Sequence, residues 1–373
     1  MGLAGLEPAT SALSVLRSNQ LSYSPEEPAQ SYTGRRQIRP VARGAPRRVD
    51  ASQPRHVSAA SLDIRLPSMP GRRPGIVQAE TMLRDIELLY RQHLTDTDRG
   101  LLALGRGTML DALGSEALEA SLFGRGAREH SAGNPDEPSG GSPGGALVGA
   151  SPFLTFAVAV HRTASRLERT TFVEESFGRR QRVPVFDVDP LRALLAEPML
   201  RYFLVELLAS YTHVSSGATW HRTSRGWRRR RFSELDPVRL AGLLEMVGAA
   251  ERPGVYRRLG DLALFLTGVF PDARSLFEMG PASLERVLRL SGTARRLPED
   301  LPGGPELLEM LGARWYRLAV AAAQATGAPH TDALGAVEAI AQRFSVARRV
   351  LNVVTDWYLF PFRDRWFGVS GGS

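Results

Sequence analysis

Apolar residues recur every three or four positions along most of the chain beyond residue 80, which is the period of one face of an α-helix. This pattern predicts helices over 151–169, 199–214, 237–249, 254–270, 281–291, 305–325 and 330–359. The 199–214 segment is apolar almost all round, so we expect that helix to be buried. No fixed-period repeat runs through the pattern, which argues against a solenoid. The predicted fold class is all-α, a multi-helix globular domain with one short β-hairpin.

Interruptions of this pattern divide the chain into predicted domains. Residues 76–123 are predicted to form a helical hairpin, because the apolar spacing breaks near Thr95 and Asp96. Residues 124–149 are rich in Gly, Pro, Ser and charged residues, a composition typical of a flexible linker. Residues 150–365 then form the predicted helical domain.

Two stretches depart from the helical period. In 218–232, two short runs typical of β-strands flank the Ser-Arg-Gly sequence at 224–226, which predicts a β-hairpin. Residues 182–188 predict a short extended segment. The Asp-Pro pairs that begin at Asp189 and Asp236 are typical of helix starts, with the aspartate as N-cap and the proline at the first helical position.

Residues 26–68 have neither a helical nor a strand period, and we predict a disordered tail over residues 1–75. We expect the true start of the protein to lie at Met69 or Met82, with the tail produced by a start codon assigned too far upstream.

A pattern at the level of codons supports this expectation. The sequence Asn-Gln-Leu-Ser-Tyr at 19–23 can be encoded by the reverse complement of a tRNA D-arm, and Gly-Leu-Glu-Pro at 5–8 by that of a TψC-arm. The two segments stand in the order that the antisense strand of one tRNA gene would give. Residues 5–25 therefore resemble spurious reading frames that run over tRNA genes.

The composition excludes several kinds of chemistry. All 47 basic residues are arginine, and the chain contains no lysine and no cysteine. We attribute the absence of lysine to codon usage in a GC-rich genome. Without cysteine the chain has no thiol nucleophile, disulfide or zinc–thiolate site. Without lysine it has no Walker A or protein-kinase lysine and no Schiff base for pyridoxal phosphate, and we expect no cofactor.

The net charge of +8 favours a nucleic-acid partner, but the position of the charge weakens this indication. Residues 1–73 hold eleven arginines against five acidic residues, whereas 74–373 hold 36 arginines against 34 acidic residues. A membrane span needs about 18 consecutive apolar residues, and no stretch of this sequence is that long. The sequence also has no signal-peptide pattern. We therefore expect a cytoplasmic protein with no membrane contact.

The predicted hairpin carries the first candidate site, formed by Trp227, Arg228, Arg229, Arg230 and Arg231. Arginines beside aromatic residues suit phosphate backbones and stacked bases. A helix followed by a basic hairpin also resembles, in shape only, the wing of winged-helix proteins. The alternative is a solvated hairpin whose arginines pair with acidic residues of the same chain.

Asp261 is the centre of the second candidate site, because it stands in an otherwise apolar predicted helix. A carboxylate in such a place needs a partner, for which Arg314 and Arg343 are candidates. One interpretation is a buried ion pair with a purely structural role. The other is a functional polar pocket between C-terminal helices, lined by Asp261, Arg314, Tyr316 and Asp356.

Two further features are weaker indications of chemistry. The Asp-x-Asp sequence at 187–189 resembles the first motif of haloacid-dehalogenase phosphatases, in which paired carboxylates hold Mg²⁺. The Pro-Leu that follows and the absence of lysine depart from that motif, so we assign no catalytic residue. The seven histidines do not follow metal-ligand spacing, and we expect no metal site.

The sequence LGDLALFLTGVFP, which begins at Leu259, and the later GARWYRLA resemble uncharacterised helical proteins of high-GC bacteria, over about 150–365. This resemblance implies a helical fold and no particular activity. We expect a non-enzymatic binding or scaffold protein with an unidentified partner, which is either another protein or a second copy bound through exposed apolar helix faces. The alternative is a nucleic-acid-binding protein that uses hairpin 218–232, and an enzyme with an Asp/Arg/Tyr pocket ranks third.

Overall fold

The computed structural model describes residues 76–103, 107–124, 149–177, 181–212, 216–223, 226–233, 235–271, 279–292 and 302–367. The predicted N-terminal tail lies outside these residues, as does all of the predicted linker except its first and last residue. Most of the described elements are α-helices, which confirms the all-α fold class.

The helices are of ordinary length, and side chains at their N-termini mark where many of them begin. The first group is α1 (Ile76–His93), α2 (Asp96–Leu102), α3 (Met109–Leu113), α4 (Glu116–Phe123), α5 (Pro152–Leu167), α6 (Asp189–Ala196) and α7 (Pro198–Ser210). The second group is α8 (Pro237–Ala241), α9 (Arg252–Val269), α10 (Pro281–Leu290), α11 (Gly304–Ala325), α12 (Asp332–Gln342), α13 (Phe344–Val354) and α14 (Arg363–Phe367). Segment 76–123, for which the sequence predicts a helical hairpin, contains α1 to α4.

In the part of the chain that the structure describes, two antiparallel β-hairpins interrupt the helices. Strands β3 (Ser216–Thr223) and β4 (Gly226–Ser233) form the hairpin predicted at 218–232. Strands β1 (Val173–Phe177) and β2 (Gln181–Val185) form another, which sequence patterning indicated only in part, as the extended segment at 182–188. The reason is that β1 reads Val-Glu-Glu-Ser-Phe, which lacks the apolar–polar alternation of a half-buried strand.

Ion pairs hold the β1–β2 hairpin against the C-terminal helices. The Arg349 Nε donates to Glu175 in β1 at 2.5 Å, and its Nη1 donates to the Asp187 carboxylate at 3.1 Å. Arg182 in β2 donates to Asp356 at 2.8 Å. Pairing over long sequence separation therefore positions a strand that local propensity does not predict.

The two predicted Asp-Pro helix starts differ in the structure. Asp236 is the N-cap of α8, and its carboxylate accepts from the backbone N–H groups of Val238 at 2.9 Å and Arg239 at 3.1 Å. Asp189 is already the first residue of α6, and its carboxylate accepts from Arg192 at 2.6 Å instead. The prediction of an N-cap at Asp189 is therefore wrong, because the side-chain ion pair replaces the cap.

Helix α9 passes through the middle of the core and makes its closest contacts at glycines. A Cβ atom built at Gly260 would lie 2.6 Å from the ring of Tyr316 in α11, and one at Gly268 would lie 2.6 Å from the Cβ of Leu351 in α13. Gly312 in α11 faces back toward α9, since its Cβ would lie 2.7 Å from that of Ala263. The missing side chains allow α9 and α11 to approach each other closely.

The predicted helix at 330–359 is divided in the structure. α12 ends at Gln342 and α13 begins at Phe344, and the intervening Arg343 has φ −119° and ψ 35°. The Phe344 ring lies against Gly312, where a Cβ would come within 2.5 Å of its Cζ. The break brings Phe344 to this contact, and no proline or glycine near residue 343 marks it in the sequence.

Two buried carboxylates connect the N-terminal helices to α5. Asp98 accepts from the Thr95 backbone N–H at 2.9 Å and from that of Ser151, the N-cap of α5, at 2.8 Å. Glu119 accepts from the Arg162 Nε at 2.7 Å and from the Tyr358 hydroxyl at 2.8 Å. Because both carboxylates are buried with internal donors, they fix the positions of α2 and α4 on the helices that follow.

A buried tyrosine–histidine pair connects α1 to α5. The Tyr90 hydroxyl and the His161 Nε2 are 3.0 Å apart, and both residues lie in the core. Burial, with a smaller contribution from the charge of Arg201, lowers the pKa of His161 to about 3. His161 is therefore neutral at physiological pH and acts as a satisfied core histidine.

We expect Gly312→Ala to destabilise the protein by about 1–3 kcal/mol, because the added methyl group overpacks the α9–α11 contact. Urea denaturation measures the change. Gly254→Ala is the matched control, since a Cβ at this position in α9 meets nothing within 4 Å. The control should be as stable as the original protein or more stable, because alanine favours helix. A Gly312→Ala protein of undiminished stability would contradict the close contact.

The low pKa of His161 predicts a loss of stability in acid. The unfolded state takes up a proton near pH 6.5 while the folded state does not. The free energy of unfolding should therefore fall by about 1.4 kcal/mol per pH unit as the pH decreases from about 6.5 toward 4. In His161→Gln this contribution disappears, so its pH profile should be shallower in urea denaturation. Parallel profiles for the two proteins would disprove the assignment.

Candidate functional site

The β3–β4 hairpin leaves the helical core between α7 and α8. Its register pairs Trp220 with Arg229 and Arg222 with Trp227, and the last pair before the turn is Thr223 with Gly226. Two residues, 224 and 225, thus connect the strands. This register was not part of the sequence prediction, which located the turn within 224–226 without pairing the strands.

The register assigns residues to the two faces of the hairpin. Residues directly opposite each other share a face, and alternate residues along a strand also share it. Positions 218, 220, 222, 227, 229 and 231 form one face, which we call the Trp/Arg face because it holds Trp220, Trp227 and three arginines. Positions 217, 219, 221, 228, 230 and 232 form the opposite face. The five predicted site residues are therefore divided between the faces.

Charge is concentrated in this part of the chain. Residues 207–233 contain six arginines and no acidic residue, whereas the rest of 74–373 contains thirty arginines and 34 acidic residues. The positive potential of the protein beyond residue 73 is thus centred on the hairpin.

Arg258 of α9 anchors the end of α7 from which the hairpin departs. Its guanidinium donates to the Ser210 hydroxyl at 2.7 Å and lies 4.0 Å from the centre of the Tyr211 ring. Ser210 is the last residue of α7, and β3 begins at Ser216. α9 therefore holds the C-terminal end of α7 by a hydrogen bond and a cation–π contact.

Asp261 lies next to this anchor in a buried network between α7, α9 and α11. The Tyr316 hydroxyl donates to Asp261 at 2.8 Å, and the Arg257 Nε is 3.8 Å from the same carboxylate. Arg257 also donates to Glu206 at 2.7 Å. The network connects Glu206 of α7 to Tyr316 of α11 through two residues of α9.

The pKa shifts of this network have opposing causes. Burial raises the pKa of Asp261, while the guanidiniums of Arg257 and Arg258 and the Tyr316 hydroxyl act against this shift. Burial lowers the pKa of Arg257, but the carboxylates of Glu206 and Asp261 outweigh it and raise that pKa above its usual value. Burial and the Asp261 charge raise the pKa of Tyr316, so this hydroxyl remains a donor.

The structure brings together only part of the predicted Asp/Arg/Tyr pocket. Tyr316 contacts Asp261, but the charged partner is Arg257 rather than Arg314 or Arg343. Arg343 pairs with Glu197 at 2.8 Å. Asp356 pairs with Arg182 of the β1–β2 hairpin, away from Asp261. The contacts of Asp261 are those of a structural network in a helix interface.

The sequence contained a signal for Arg257 that the prediction did not use. Arg257 and Asp261 are four residues apart on one helix, a spacing at which side chains meet on the same face. The glycine at 260 makes room for the Tyr316 ring, which brings its hydroxyl to the carboxylate. The sequence prediction therefore includes Tyr316 as a neighbour of Asp261, but it assigns the charged partner to other helices and misses Arg257.

The remaining features that the sequence singled out are the Asp-x-Asp pair, the histidines and the exposed apolar helix faces. Asp187 and Asp189, the phosphatase-like pair, interact with Arg349 and Arg192 respectively. Among the described residues, no group of three or more His, Cys, Asp or Glu side chains could hold a metal ion. Large apolar side chains are exposed on α1, at Met82, Leu83 and Leu88. Self-association through such faces stays a prediction.

Comparison with family models, curated proteins and solved structures finds no match to this chain. Within the described residues, every helix is too short or too polar to cross a membrane.

We expect Asp261→Asn and Tyr316→Phe each to destabilise the protein by about 1–3 kcal/mol. Tyr316→Phe removes the donor of a buried hydrogen bond, and Asp261→Asn removes the carboxylate charge that faces Arg257. The double variant should lose less than the sum of the two, since the partners act together. Urea denaturation of the four proteins measures the coupling. Asp85→Asn on the exposed side of α1 is the control and should be near neutral. Additive losses would show that the two side chains act independently.

Proposed function

We propose that this chain is a non-enzymatic binding protein whose β3–β4 hairpin binds the phosphate backbone of nucleic acid. The main observation in support of the proposal is the strand register. It places Trp220 and Arg222 of β3 on the same face as Trp227, Arg229 and Arg231 of β4. The combination of guanidinium groups and indole rings suits phosphates and bases together.

The distribution of charge supports the same ligand. Six arginines occur between residues 207 and 233 without any carboxylate, so these cations have no acidic neighbour in their own segment. The charge outside this segment, beyond residue 73, is slightly negative, which disfavours a general attraction of polyanions by the helical body. Binding should therefore be confined to the hairpin.

The helices that flank the hairpin also support this proposal. Arg258 holds the end of α7 that precedes the hairpin, and Asp236 caps α8, which follows it. Both helices pack in the core. We expect helices held in this way to lower the entropy that is lost when a ligand is bound.

The test is binding of the full-length chain to labelled DNA and RNA, measured by fluorescence anisotropy between about 50 and 200 mM salt. We expect affinity to fall steeply with salt. Changing residues 228–231 from Arg to Ser should weaken binding. It should also make the slope of log K against log salt shallower, by about 1 for each phosphate that the variant no longer binds.

The matched control changes four exposed arginines outside the hairpin segment to Ser: Arg84, Arg252, Arg286 and Arg289. It has the same net charge as the hairpin variant but retains the hairpin. We expect it to bind nearly as the original protein does. Equal losses in both variants would attribute binding to net charge alone, and an absence of binding in the original protein would end the proposal.

A further inference from the structure

The two faces of the β3–β4 hairpin carry similar charge but different chemistry. The Trp/Arg face has Arg222, Arg229 and Arg231 together with two tryptophans. The opposite face has Arg228 and Arg230, with His221, Thr219 and Phe232 among its other positions. A ligand attracted by charge alone would not distinguish the faces strongly, whereas a ligand that stacks on large aromatic rings would.

The arrangement of the Trp/Arg face is alternating. Trp220 is opposite Arg229, and Trp227 is opposite Arg222, so each tryptophan position has an arginine position directly across the ladder. Opposite positions have Cβ atoms about 5 Å apart, and the next position of the same face along a strand is about 7 Å away. The two tryptophan positions are diagonal neighbours, and arginine positions flank both.

This composition fits unpaired bases better than a duplex. Bases in a duplex are stacked on one another, and a ribbon in the major groove reads their edges by hydrogen bonds. Tryptophan has a single N–H donor and no acceptor, so two tryptophans contribute little to such reading. Unpaired bases expose their ring faces, on which indole rings stack regardless of sequence, while arginines pair with the backbone.

We therefore infer that the Trp/Arg face binds single-stranded nucleic acid in preference to duplex and without sequence preference. Bases stack on Trp220 and Trp227, and phosphates pair with Arg222, Arg229 and Arg231. This inference rests on the proposed function and names the form of nucleic acid that the hairpin binds.

The experiment compares an oligothymidylate and an oligouridylate of about 20 nucleotides with a duplex of the same length, a size that exceeds the usual site of about 4–16 nucleotides. Full-length protein is titrated into each labelled probe, and tryptophan emission is recorded in parallel. The variants are Trp220→Ala with Trp227→Ala, Arg229→Ser with Arg231→Ser, and Arg228→Ser with Arg230→Ser. The two arginine variants each remove two positive charges, one from the Trp/Arg face and the other from the opposite face. Melting temperatures establish that all variants fold.

We expect single strands to bind more tightly than duplex and to quench tryptophan emission. The tryptophan variant should lose about fivefold or more in affinity for each residue changed. Arg229→Ser with Arg231→Ser should reduce the single-strand salt slope by about 1.4, and the variant of the opposite face should change it much less. The two oligonucleotides decide whether DNA and RNA are bound alike.

Other outcomes separate this inference from the proposed function. Duplex binding as tight as single-strand binding, with no effect of the tryptophan changes, would overturn the inference and leave the proposed function standing. Equal effects of the two arginine pairs would overturn the assignment to one face. If the original protein bound none of the three probes, both proposals would fail together.

Discussion

The close contact between α9 and α11 places the residues of the buried network around Asp261. It exists because Gly260 and Gly312 present no side chain to the opposite helix, so that the Tyr316 ring and the Phe344 ring occupy the space. With the helices at this distance, the Tyr316 hydroxyl reaches Asp261. Even one added methylene group in such a contact forces displacement of its neighbours, since protein interiors are packed as densely as organic crystals.

The charged groups beside this contact are expensive to bury, and their arrangement shows how the cost is offset. Asp261 accepts from Tyr316, Arg257 is placed between two carboxylates, and Arg258 uses a hydroxyl and an aromatic ring. Replacement of such a network by apolar residues can leave stability unchanged, whereas removal of one member leaves a buried charge without its partner. We therefore expect the network to favour one arrangement of α7, α9 and α11 more than it adds net stability.

This specificity has a consequence for the hairpin. α7 ends at Ser210, where Arg258 contacts it, and the chain then enters β3. The polar residues that suggested a reaction centre in the core thus lie beside the end of α7 that precedes the proposed binding hairpin.

The helical class, the β3–β4 hairpin and its high arginine content follow from the sequence, because periodicity, turn composition and charge are local properties. The strand register, the break at Arg343 and the partners of Asp261 become known only from the structure. A shift of one residue in the register would separate Trp220 from Trp227 onto opposite faces, although the composition would be unchanged. Likewise, no proline or glycine near residue 343 marks the helix end, which places Phe344 against Gly312, 32 positions earlier. Such features arise from packing between segments distant in the chain, which local propensity does not encode.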